Sequence, residues 1–288
     1  RGFVVTCRGL REAFRGGDLR RKQFVALCHF GEQPFAAFGG LAEGVSVHVP
    51  AGDEGKRLTL LFEGVTGHAT VMLNGCLMKH NFRGYTPFEV DITDMVKYGA
   101  ENSLAVFVDM TEHEGWWYEG AGIYRPVRLR KTDLCAIDLW GVFARPERQE
   151  NGTWVVHTET TLRNDSERNE RLTVKGEILD ADGQVVATSG AEETVSLRDS
   201  ATLCYDFAVG TPRLWSPETP YRYTMRTSVF CGEIETDRDE VKFGFRTIRT
   251  DCNEGLFIND KPYRLKGFCA HESCGLTGKV IPEALQRY

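Results

Sequence analysis

Short stretches of alternating apolar and polar residues dominate the chain after residue 44. A period of two residues places every second side chain on the same face, which is the pattern of a half-buried β-strand. Alternation or short apolar runs predict strands at 45–49, 58–65, 69–80, 88–92, 103–109 and 125–131. Residues 1–44 show no clean period of 2 or 3.6 residues, so no element is predicted there.

Local turn signals divide this first run of strands. Asn74-Gly75 is the kind of dipeptide that most strongly predicts a tight hairpin turn. A short helical turn is predicted further on, because Thr93 or Asp94 can cap its start and Gly99 can end it. Many short strands at regular spacing predict a β-sandwich of jelly-roll type.

A second set of strands follows. Its predicted members are 134–144, 153–164, 171–180, 184–188, 201–209 and 221–230. About seven strands within roughly 110 residues predict an immunoglobulin-like sandwich, here without the inter-sheet disulfide. The prolines between 211 and 221 favour an extended crossing before the last strand, because proline restricts both itself and the preceding residue.

The final stretch has a different character. Residues 256–267 predict a hairpin that turns at Asn259-Asp260, and Pro282 lies near the first position of a predicted helix. A strand that leads into a helix is how a TIM barrel begins, and a complete barrel takes about 250 residues. The residues after this hairpin are too few to close one.

The patterns predict an all-β protein of three parts. Its 288 residues exceed the length of one ordinary domain. Residues 1–133, with an atypical stretch at 1–44, are predicted to form a jelly-roll domain, and 134–247 an immunoglobulin-like β-sandwich. Residues 248–288 are predicted to supply the first strand and the helix start of a truncated TIM barrel.

Composition excludes several classes of function. Hydrophobic residues make up 41% and charged residues 26% of the chain, which are values of a folded globular protein. The formal net charge of -6 gives no basic footprint, so no nucleic-acid partner is expected. No apolar run approaches the roughly 20 residues that cross a bilayer, and no signal peptide is evident, so no membrane partner is expected.

The nine cysteines are spaced irregularly, and none belongs to a CxxC pair. This argues against a zinc ribbon or a thioredoxin motif and favours reduced, mostly buried thiols in a cytoplasmic protein. Cys269, His271 and Cys274 lie close together in the sequence but fall short of the usual four ligands of a structural zinc site. No metal or cofactor is therefore expected.

Three segments, taken together, resemble one enzyme family. The first comprises GKRLTLLFEGVTGHATVMLNG at 55–75, GYTPFEVDITD at 84–94 and ENSLAVFVD at 101–109, and the second is EGWWYEGAGIYRPVRL at 114–129. The third consists of LWSPETPYRY at 214–223, VKFGFRTIRTD at 241–251 and LFINDKPYRLKGFCAHES at 256–273. In this order and spacing, residues 45–288 resemble glycoside hydrolase family 2, which includes β-galactosidases, β-glucuronidases and β-mannosidases.

The resemblance implies an architecture and a mechanism. Members of the family place a jelly-roll domain, galactose-binding-like in fold, before an immunoglobulin-like domain and a catalytic TIM barrel. In their retaining mechanism, one carboxylic acid protonates the leaving oxygen and a second carboxylate attacks the anomeric carbon. Both glutamates are expected beyond Tyr288, since no glutamate here falls in a matching motif. This chain alone is therefore expected to be inactive.

The resemblance also implies a partner. The expected substrate is a terminal β-linked glycoside or oligosaccharide, and WWYEGAGIYR with GFCAHES looks most like the β-galactosidase branch. A homo-oligomer is an expectation for the full-length enzyme, because related enzymes are often oligomers. The alternatives are a stand-alone carbohydrate-binding β-sandwich module and a degenerate gene product that folds poorly.

Three residues are candidates for contact with the sugar. His271 aligns with a family histidine at the end of the first barrel strand, where it would contact the sugar in the −1 subsite or else stabilise its own loop. Glu272 would orient a neighbouring group or lie solvated as an ordinary carboxylate. Trp116 stands where well-known members have an aspartate that reaches the active site. With Trp117 and Tyr118, it would stack on a sugar or pack where the sandwich meets the barrel.

Overall fold

A computed structural model describes residues 2–4, 23–24, 45–109 and 122–269. These residues form β-strands and turns, with one short 3-10 turn at Ala51–Asp53, which confirms the all-β prediction for this part of the chain. None of them forms a helix long and apolar enough to span a membrane. The chain separates into two compact units, of which the second runs from Thr132 to Phe268 and the first contains the described residues before it.

The first unit is built from short strands. They are β1 Gly2–Val4, β2 Gln23–Phe24, β3 Val45–Val49, β4 Arg57–Phe62, β5 Val65–Thr66, β6 His68–Leu73, β7 Cys76–Asn81, β8 Phe88–Asp91, β9 Ala100–Asp109, β10 Gly122–Ile123 and β11 Val127–Thr132. In one sheet, β6 and then β7 lie on one side of β9, while β1 and β3 follow each other along its other side. A second sheet has the order β2-β11-β4-β8, and β5 pairs with β10.

One apolar cluster joins the two main sheets of this unit. Every second residue of β6 is buried, so Ala69, Val71 and Leu73 point into the cluster. Phe62 on β4 stacks on Phe88 of β8 with ring centroids 4.9 Å apart. Because residues of both sheets share this cluster, the unit is a β-sandwich. Its assignment as a jelly roll ending at residue 133 stays a prediction.

The helical turn predicted after β8 is reduced to a single hydrogen-bonded turn. The Val96 N–H donates to the Ile92 carbonyl at 3.1 Å, as in a helix. The next N–H, of Lys97, donates instead to the side chain of Asn102 at 2.7 Å. The turn therefore ends after one repeat, because a buried side chain takes the hydrogen bond that would extend it.

The second unit contains two long-stranded sheets and a small third sheet. Its strands are β12 Cys135–Arg148, β13 Trp154–Asn164, β14 Glu170–Leu179, β15 Val185–Val195, β16 Asp199–Val209, β17 Tyr223–Cys231, β18 Ile234–Phe243, β19 Ile248–Asp251, β20 Gly255–Ile258 and β21 Lys261–Tyr263. The sheet orders are β12-β13-β16, β15-β14-β17-β18 and β19-β20-β21. The first two sheets have the layout of an immunoglobulin-like sandwich.

An aromatic cluster forms the core of this sandwich. The fully buried Phe245 contacts Trp154 edge-on at 5.5 Å and Tyr223 at 4.9 Å between ring centroids. Phe243 lies 5.3 Å from the same ring. Trp154 belongs to β13, whereas Tyr223 and Phe243 belong to the other sheet, so these contacts connect the two sheets. Edge-to-face pairs contribute about 0.5–1.5 kcal/mol each beyond the burial of their area.

Two predicted hairpin turns are confirmed. Their central residues adopt positive φ, which is 50° at Asn74, 83° at Gly75, 51° at Asn259 and 62° at Asp260. This is the type I′ geometry whose twist matches that of the flanking strands. The turns therefore join β6 to β7 and β20 to β21 as antiparallel neighbours.

β18 is a strand that the sequence pattern does not predict. Its residues, IETDRDEVKF, are mostly charged and lack the apolar alternation of the other strands. It lies at the edge of its sheet, where charged side chains are common because they discourage pairing with other chains. The strand predicted at 184–188, in contrast, continues to Val195 because β15 pairs with the whole length of β14.

β12 is interrupted by a large β-bulge, where the sequence pattern predicts one continuous strand. Ile137 pairs with Leu162 and Val142 pairs with Thr160, so the residues between Ile137 and Val142 face a single residue of β13. Trp140, inside this bulge, adopts a φ of 54°. A bulge bends a strand and redirects a side chain without ending the sheet.

Two neighbouring thiols lie at the start of β12 and at the end of β17. The Cys135 thiol donates to Asn164 Oδ1 at 3.5 Å, and the Cys231 thiol donates to Glu170 Oε2 at 3.3 Å. Burial, followed by the proximity of Cys231 and Glu170, raises the pKa of Cys135 to about 12. Burial and the hydrogen bond to Glu170 also raise the pKa of Cys231. Both thiols therefore stay protonated near neutral pH.

The expectation of mostly buried thiols is wrong for the described cysteines. Cys76, Cys204, Cys252 and Cys269 are exposed. Cys76 directly follows a tight turn, and Cys204 points outward between buried neighbours on β16. These positions are set by strand alternation and turns, which outweigh the general preference of cysteine for the interior.

The predicted barrel start is not shown. β19, β20 and β21 form an antiparallel sheet, and the described residues 264–269 carry no strand. Residues 270–288, which include the predicted helix start, lie outside the described residues. The truncated TIM barrel and the boundary at residue 247 therefore stay predictions.

Candidate functional site

The three candidate site residues lie outside the described residues. Trp116 falls within 110–121, and His271 and Glu272 fall within 270–288. The structure describes the strands on either side of 110–121 and the residues that lead up to 270. The roles of the three side chains stay predictions.

The described residues on either side of the aromatic segment 110–121 lie at one corner of the first unit. β9 ends at Asp109, which pairs with His68 at the start of β6. β10 begins at Gly122, which pairs with Thr66 at the end of β5. These two partners are separated by a single glycine, whose φ of 99° turns the chain between the strands. Backbone pairing thus holds both ends of the segment beside the same turn.

The residues after the segment fix its downstream end. A Cβ at Gly64 would lie 2.7 Å from Cζ of Tyr124, so a glycine is needed to make room for this ring. The N–H groups of Tyr124 and Arg125 both donate to the Gly64 carbonyl at 3.3 Å. The Arg125 guanidinium lies 5.5 Å from the centroid of the Tyr124 ring, within cation–π range. These contacts indicate that the GIYR residues, 122–125, have a structural role.

Three rings border this corner: His68 on β6, His80 on β7 and Phe82 directly after β7. His68 contacts Phe82 edge-on at 5.4 Å, and His80 stacks with Phe82 at 6.0 Å, both measured between ring centroids. Thr70 Oγ1 lies 2.8 Å from Nδ1 of His80 and holds that ring. Phe82 is 63% exposed. In such a group, the exposed phenyl ring can contact the C–H face of a sugar, and the imidazoles can hydrogen-bond the sugar hydroxyls.

Sequence reasoning missed this group because its pairing is not the one that the hairpin turn alone predicts. His68 and Thr70 point outward on β6 because they alternate with buried residues. His80 pairs with Thr70 across the hairpin whose turn is Asn74-Gly75. The turn alone would pair Thr70 with Lys79, but the register shifts by one residue between Val71 and Met72. This bulge brings His80 opposite Thr70, and the period of two does not predict it.

The segment that leads to His271 and Glu272 starts from the small sheet of the second unit. Residues 264–269 follow β21 without strand structure. Leu265 is 75% exposed and Phe268 is 95% exposed. Exposed apolar side chains of this size are typical of a segment that contacts another part of a protein or a ligand.

A shallow, open groove of about 460 Å³ lies at the start of this segment. It is lined by residues 254–256 and 262–265. Tyr263 provides a ring and a hydroxyl, and Glu254 and Arg264 provide opposite charges. The groove is open to solvent along most of its length, whereas small-molecule sites are enclosed enough to bury most of the ligand, so we assign it no ligand.

Metal ligands are not assembled in the described part of the chain. No group of three His, Cys, Asp or Glu side chains there is arranged to hold a metal ion. His157 lies between Asp206 Oδ1 at 2.9 Å and Glu147 Oε2 at 3.4 Å on the outer face of its sheet. Both carboxylates are placed to pair with the protonated form of the His157 imidazole.

Known proteins match this chain in sequence. Residues 136–246 match the family model described as Glycosyl hydrolases family 2. A β-galactosidase of Bacteroides ovatus is 31% identical over 265 residues, which cover 89% of this chain and 31% of that protein. A β-glucuronidase of Bacteroides fragilis is 29% identical, over 79% of this chain and 34% of that protein.

Solved structures match the fold. A glycosyl hydrolase family 2 member from Bacteroides cellulosilyticus superposes with a TM-score of 0.77 at 29% identity, covering 82% of this chain and 32% of that chain. A β-glucuronidase of Bacteroides uniformis superposes with a TM-score of 0.78 at 25% identity, covering 85% of this chain and 31% of that chain. The chain thus spans about a third of the length of the relatives that it matches.

Proposed function

Because this chain belongs to glycoside hydrolase family 2, we propose that it forms the non-catalytic N-terminal portion of a retaining β-glycosidase acting on terminal β-linked sugars. A β-galactosidase-like activity is the most specific form of the proposal. The observation that carries it is the match to the Bacteroides ovatus β-galactosidase over 89% of this chain. β-Glucuronidases match at similar identity, so the assay below compares both sugars.

In the proposed mechanism, this chain supports chemistry that other residues perform. Retaining glycosidases hold two carboxyl groups about 5–5.5 Å apart, one as acid/base and one as nucleophile. We place both outside these 288 residues, since no glutamate here falls in a matching family motif. The contribution of this chain is to position segments that border the sugar.

Three side chains are proposed to contact or orient the sugar. His271 would donate to or accept from a hydroxyl in the −1 subsite, and Glu272 would orient a neighbouring group. Trp116 would stack on a sugar ring. Support for Trp116 comes from the flanking strands, because Asp109 pairs with His68 and Gly122 with Thr66 at one turn, where the exposed Phe82 adds a ring.

The remaining expectations concern partners and location. A stand-alone carbohydrate-binding module is not favoured, because the relatives named above are glycosidases of which this chain spans about a third. We propose a β-linked glycoside as the small-molecule partner, no nucleic-acid or membrane partner, and a homo-oligomer for the full-length enzyme. A cytoplasmic location is proposed because the six described cysteines are free thiols.

A chimera tests the proposal. The aligned region of the Bacteroides ovatus β-galactosidase is replaced by this chain, and hydrolysis of nitrophenyl β-galactoside and β-glucuronide is measured, with NMR to follow the product anomer. We expect turnover of the galactoside with retention of configuration by the chimera, and no turnover by the 288-residue chain alone. Turnover by the pure chain would contradict the placement of both carboxylates outside it.

A second comparison tests the role of the front portion. A folded chimera that does not hydrolyse either substrate, beside a fully active parent, would contradict the proposal. Within an active chimera, His271→Ala is expected to lower kcat/KM by about 10²-fold or more, the size typical of a lost contact to the reacting sugar. Trp116→Ala should raise KM more than it lowers kcat, because stacking contributes to binding in both the ground and transition states.

A further inference from the structure

Trp140 is the most exposed described tryptophan, and its backbone is unusual. It lies in the bulge of β12 with 67% of its surface exposed and a φ of 54°. A bulky side chain in this left-handed region is strained, and such strain persists only when the surrounding structure enforces it. A large apolar side chain gains little from folding when it faces water. The strained backbone at Trp140 therefore does not help to pack the apolar core of the second unit.

Close backbone contacts within the bulge restrict the backbone conformation at Trp140. A Cβ at Gly141 would lie 2.8 Å from the Thr161 carbonyl oxygen and 2.9 Å from the Asp138 carbonyl oxygen, so the backbone is pressed against β13. Ile137 and Val142, on either side of the bulge, are buried in the core. Trp140 is thus presented to solvent by a loop that is clamped at both ends.

The outer face of the same sheet carries one further exposed ring among polar groups. Phe143 is 55% exposed and points away from the core, because Val142 before it is buried. The hydroxyls of Thr161 and Thr202 hydrogen-bond at 2.9 Å on the neighbouring strands. Arg145 pairs with Glu147 at 2.8 Å further along β12, and His157 pairs with Asp206 as described above. This face therefore presents two aromatic side chains, Trp140 and Phe143, which are surrounded by polar and mostly charged groups.

This mixture fits a sugar better than a protein partner. A stable protein interface needs about 800 Å² on each side with an apolar centre that is depleted of charge. A sugar ring instead offers a C–H face that packs on an aromatic ring and hydroxyls that bond to carboxylates and hydroxyls around it. Three carboxylates on this face, of Glu147, Glu159 and Asp206, outnumber its two guanidiniums, of Arg145 and Arg163. The excess of negative charge disfavours an anionic sugar, because like charges repel.

We propose that Trp140 and Phe143 form a glycan-binding surface on the second unit, which takes a neutral, β-linked oligosaccharide. Trp140 supplies the main stacking contact, and Phe143, three residues further along the strand, contacts a neighbouring sugar. The inference rests on the proposed function for the choice of β-linked sugars. The two exposed rings and their polar surroundings stand independently of it.

The test uses the 288-residue chain and isothermal titration calorimetry. The probes are β-1,4-galactotetraose and, as the anionic comparison, a β-1,4-linked glucuronic acid tetramer. We expect heat of binding with the neutral probe and at least about tenfold weaker binding of the anionic one, a difference that falls as salt screens the carboxylates. Absence of binding at millimolar galactotetraose, or tighter binding of the anionic tetramer, would overturn the proposal.

Variants separate a binding role from a structural one. Trp140→Asn and Trp140→Gly remove the indole with residues that accept positive φ. They should weaken binding by about tenfold or more, as expected for an aromatic anchor, without lowering the thermal midpoint. Phe143→Ala should weaken binding by a smaller factor. The control, Tyr85→Ala, removes a ring of similar exposure, 58%, from the first unit and should leave the affinity unchanged.

The remaining outcomes also decide the question. If the Trp140 variants lower the thermal midpoint and bind normally, the residue is structural and the proposal fails. If sedimentation shows that Trp140→Asn abolishes self-association and not glycan binding, the face is a contact between copies and the proposal also fails. Binding by the chain requires no hydrolysis, so an inactive chimera beside a Trp140-dependent binder would reject the proposed function alone.

Discussion

The two units are both β-sandwiches, but their interiors are built differently. In the first unit, strands such as β4 and β6 have six residues, and its cluster is mainly aliphatic with one stacked pair, Phe62 and Phe88. In the second unit, β12 has 14 residues and β13 has 11, and its sheets are joined by rings around Phe245. Long ladders and an aromatic core make the second unit the more regular of the two.

The difference has a consequence for function. Short strands require more connections, and connections can carry binding residues because they need not fill a core. In the first unit, the exposed Phe82 directly follows β7, a strand of six residues. In the second unit, the exposed ring of Trp140 required an interruption of a long strand. An exposed ring thus follows the end of a short strand in the first unit, at Phe82, and lies in a bulge of a long strand in the second, at Trp140.

The largest expected effect removes the centre of the aromatic core. Phe245→Ala should destabilise the second unit by about 3–5 kcal/mol, because it leaves a cavity among several rings. Hydrogen-exchange mass spectrometry is the measurement, since it reports each unit separately. Protection should fall in β13, β17 and β18. An equal loss in β4, β6 and β9 would contradict the separate cores described here, and Phe82→Ala, at an exposed ring, is the control with little expected effect.

A buried amide in the first unit should give the next largest effect. Asn102 is 1% exposed, and its Oδ1 accepts from the Lys97 N–H at 2.7 Å and from Asn74 Nδ2 at 2.9 Å. Its Nδ2 donates to the Lys97 carbonyl at 3.0 Å. Asn102→Ala leaves these groups without partners and should cost about 1–3 kcal/mol.

Chemical denaturation measures this cost for Asn102→Ala, and hydrogen exchange locates it. The turn that contains Lys97 and the hairpin turn at Asn74 should both lose protection. Asn253→Ala, at an exposed turn of the second unit, should change the free energy of unfolding by less than about 0.5 kcal/mol. Equal effects of the two substitutions would mean that the Asn102 network does not hold the first unit together.

How far the sequence predicts this molecule depends on which interactions decide each element. Alternation predicts most strands, and Asn74-Gly75 predicts its turn, because those signals are local. β18 escapes prediction because its pairing comes from β17 and not from its own charged residues. The bulge at Trp140 is not predicted either, because it depends on close contact between Gly141 and the neighbouring strand.

The candidate site shows the same limit. Trp116, His271 and Glu272 could be proposed through the resemblance of whole motifs, which carries roles from one sequence to another. The ring of Phe82 between two histidines could not, because it depends on the register of β6 and β7. Local patterns therefore predict elements, while sites assembled across strands require the pairing to be known.

The alkaline stability of the second unit should depend on Cys135. Burial raises the pKa of this thiol from its ordinary value of 9.0 to about 12. The unfolded chain thus releases this proton near pH 9 and the folded chain keeps it to about pH 12, so the stabilising contribution is complete below pH 9 and is lost as the pH rises to 12. Denaturation series from pH 8 to 11 measure the slope.

Cys135→Ala removes this titration, so its free energy of unfolding should fall less steeply above pH 9 than that of the parent. Cys204→Ala, at an exposed thiol on β16, is the matched control for the loss of one cysteine. Identical slopes for all three proteins would mean that Cys135 titrates normally in the folded state. The first unit, which lacks such a thiol pair among its described residues, should show no change in hydrogen exchange between the variants.

The smallest expected effect concerns the outer face of the second unit. Arg226 on β17 bonds Glu240 at 2.9 Å and lies 3.5 Å from Glu177, so one guanidinium links three strands. All three side chains are about a third or more exposed, so water and salt screen the pairs and Arg226→Ala should cost only about 0.2–1 kcal/mol. The difference from the parent should shrink further at 1 M salt, where the Debye length is about 3 Å. A cost comparable to that of Phe245→Ala, or one that salt leaves unchanged, would mean that these charges and not the aromatic core hold the long ladders in register.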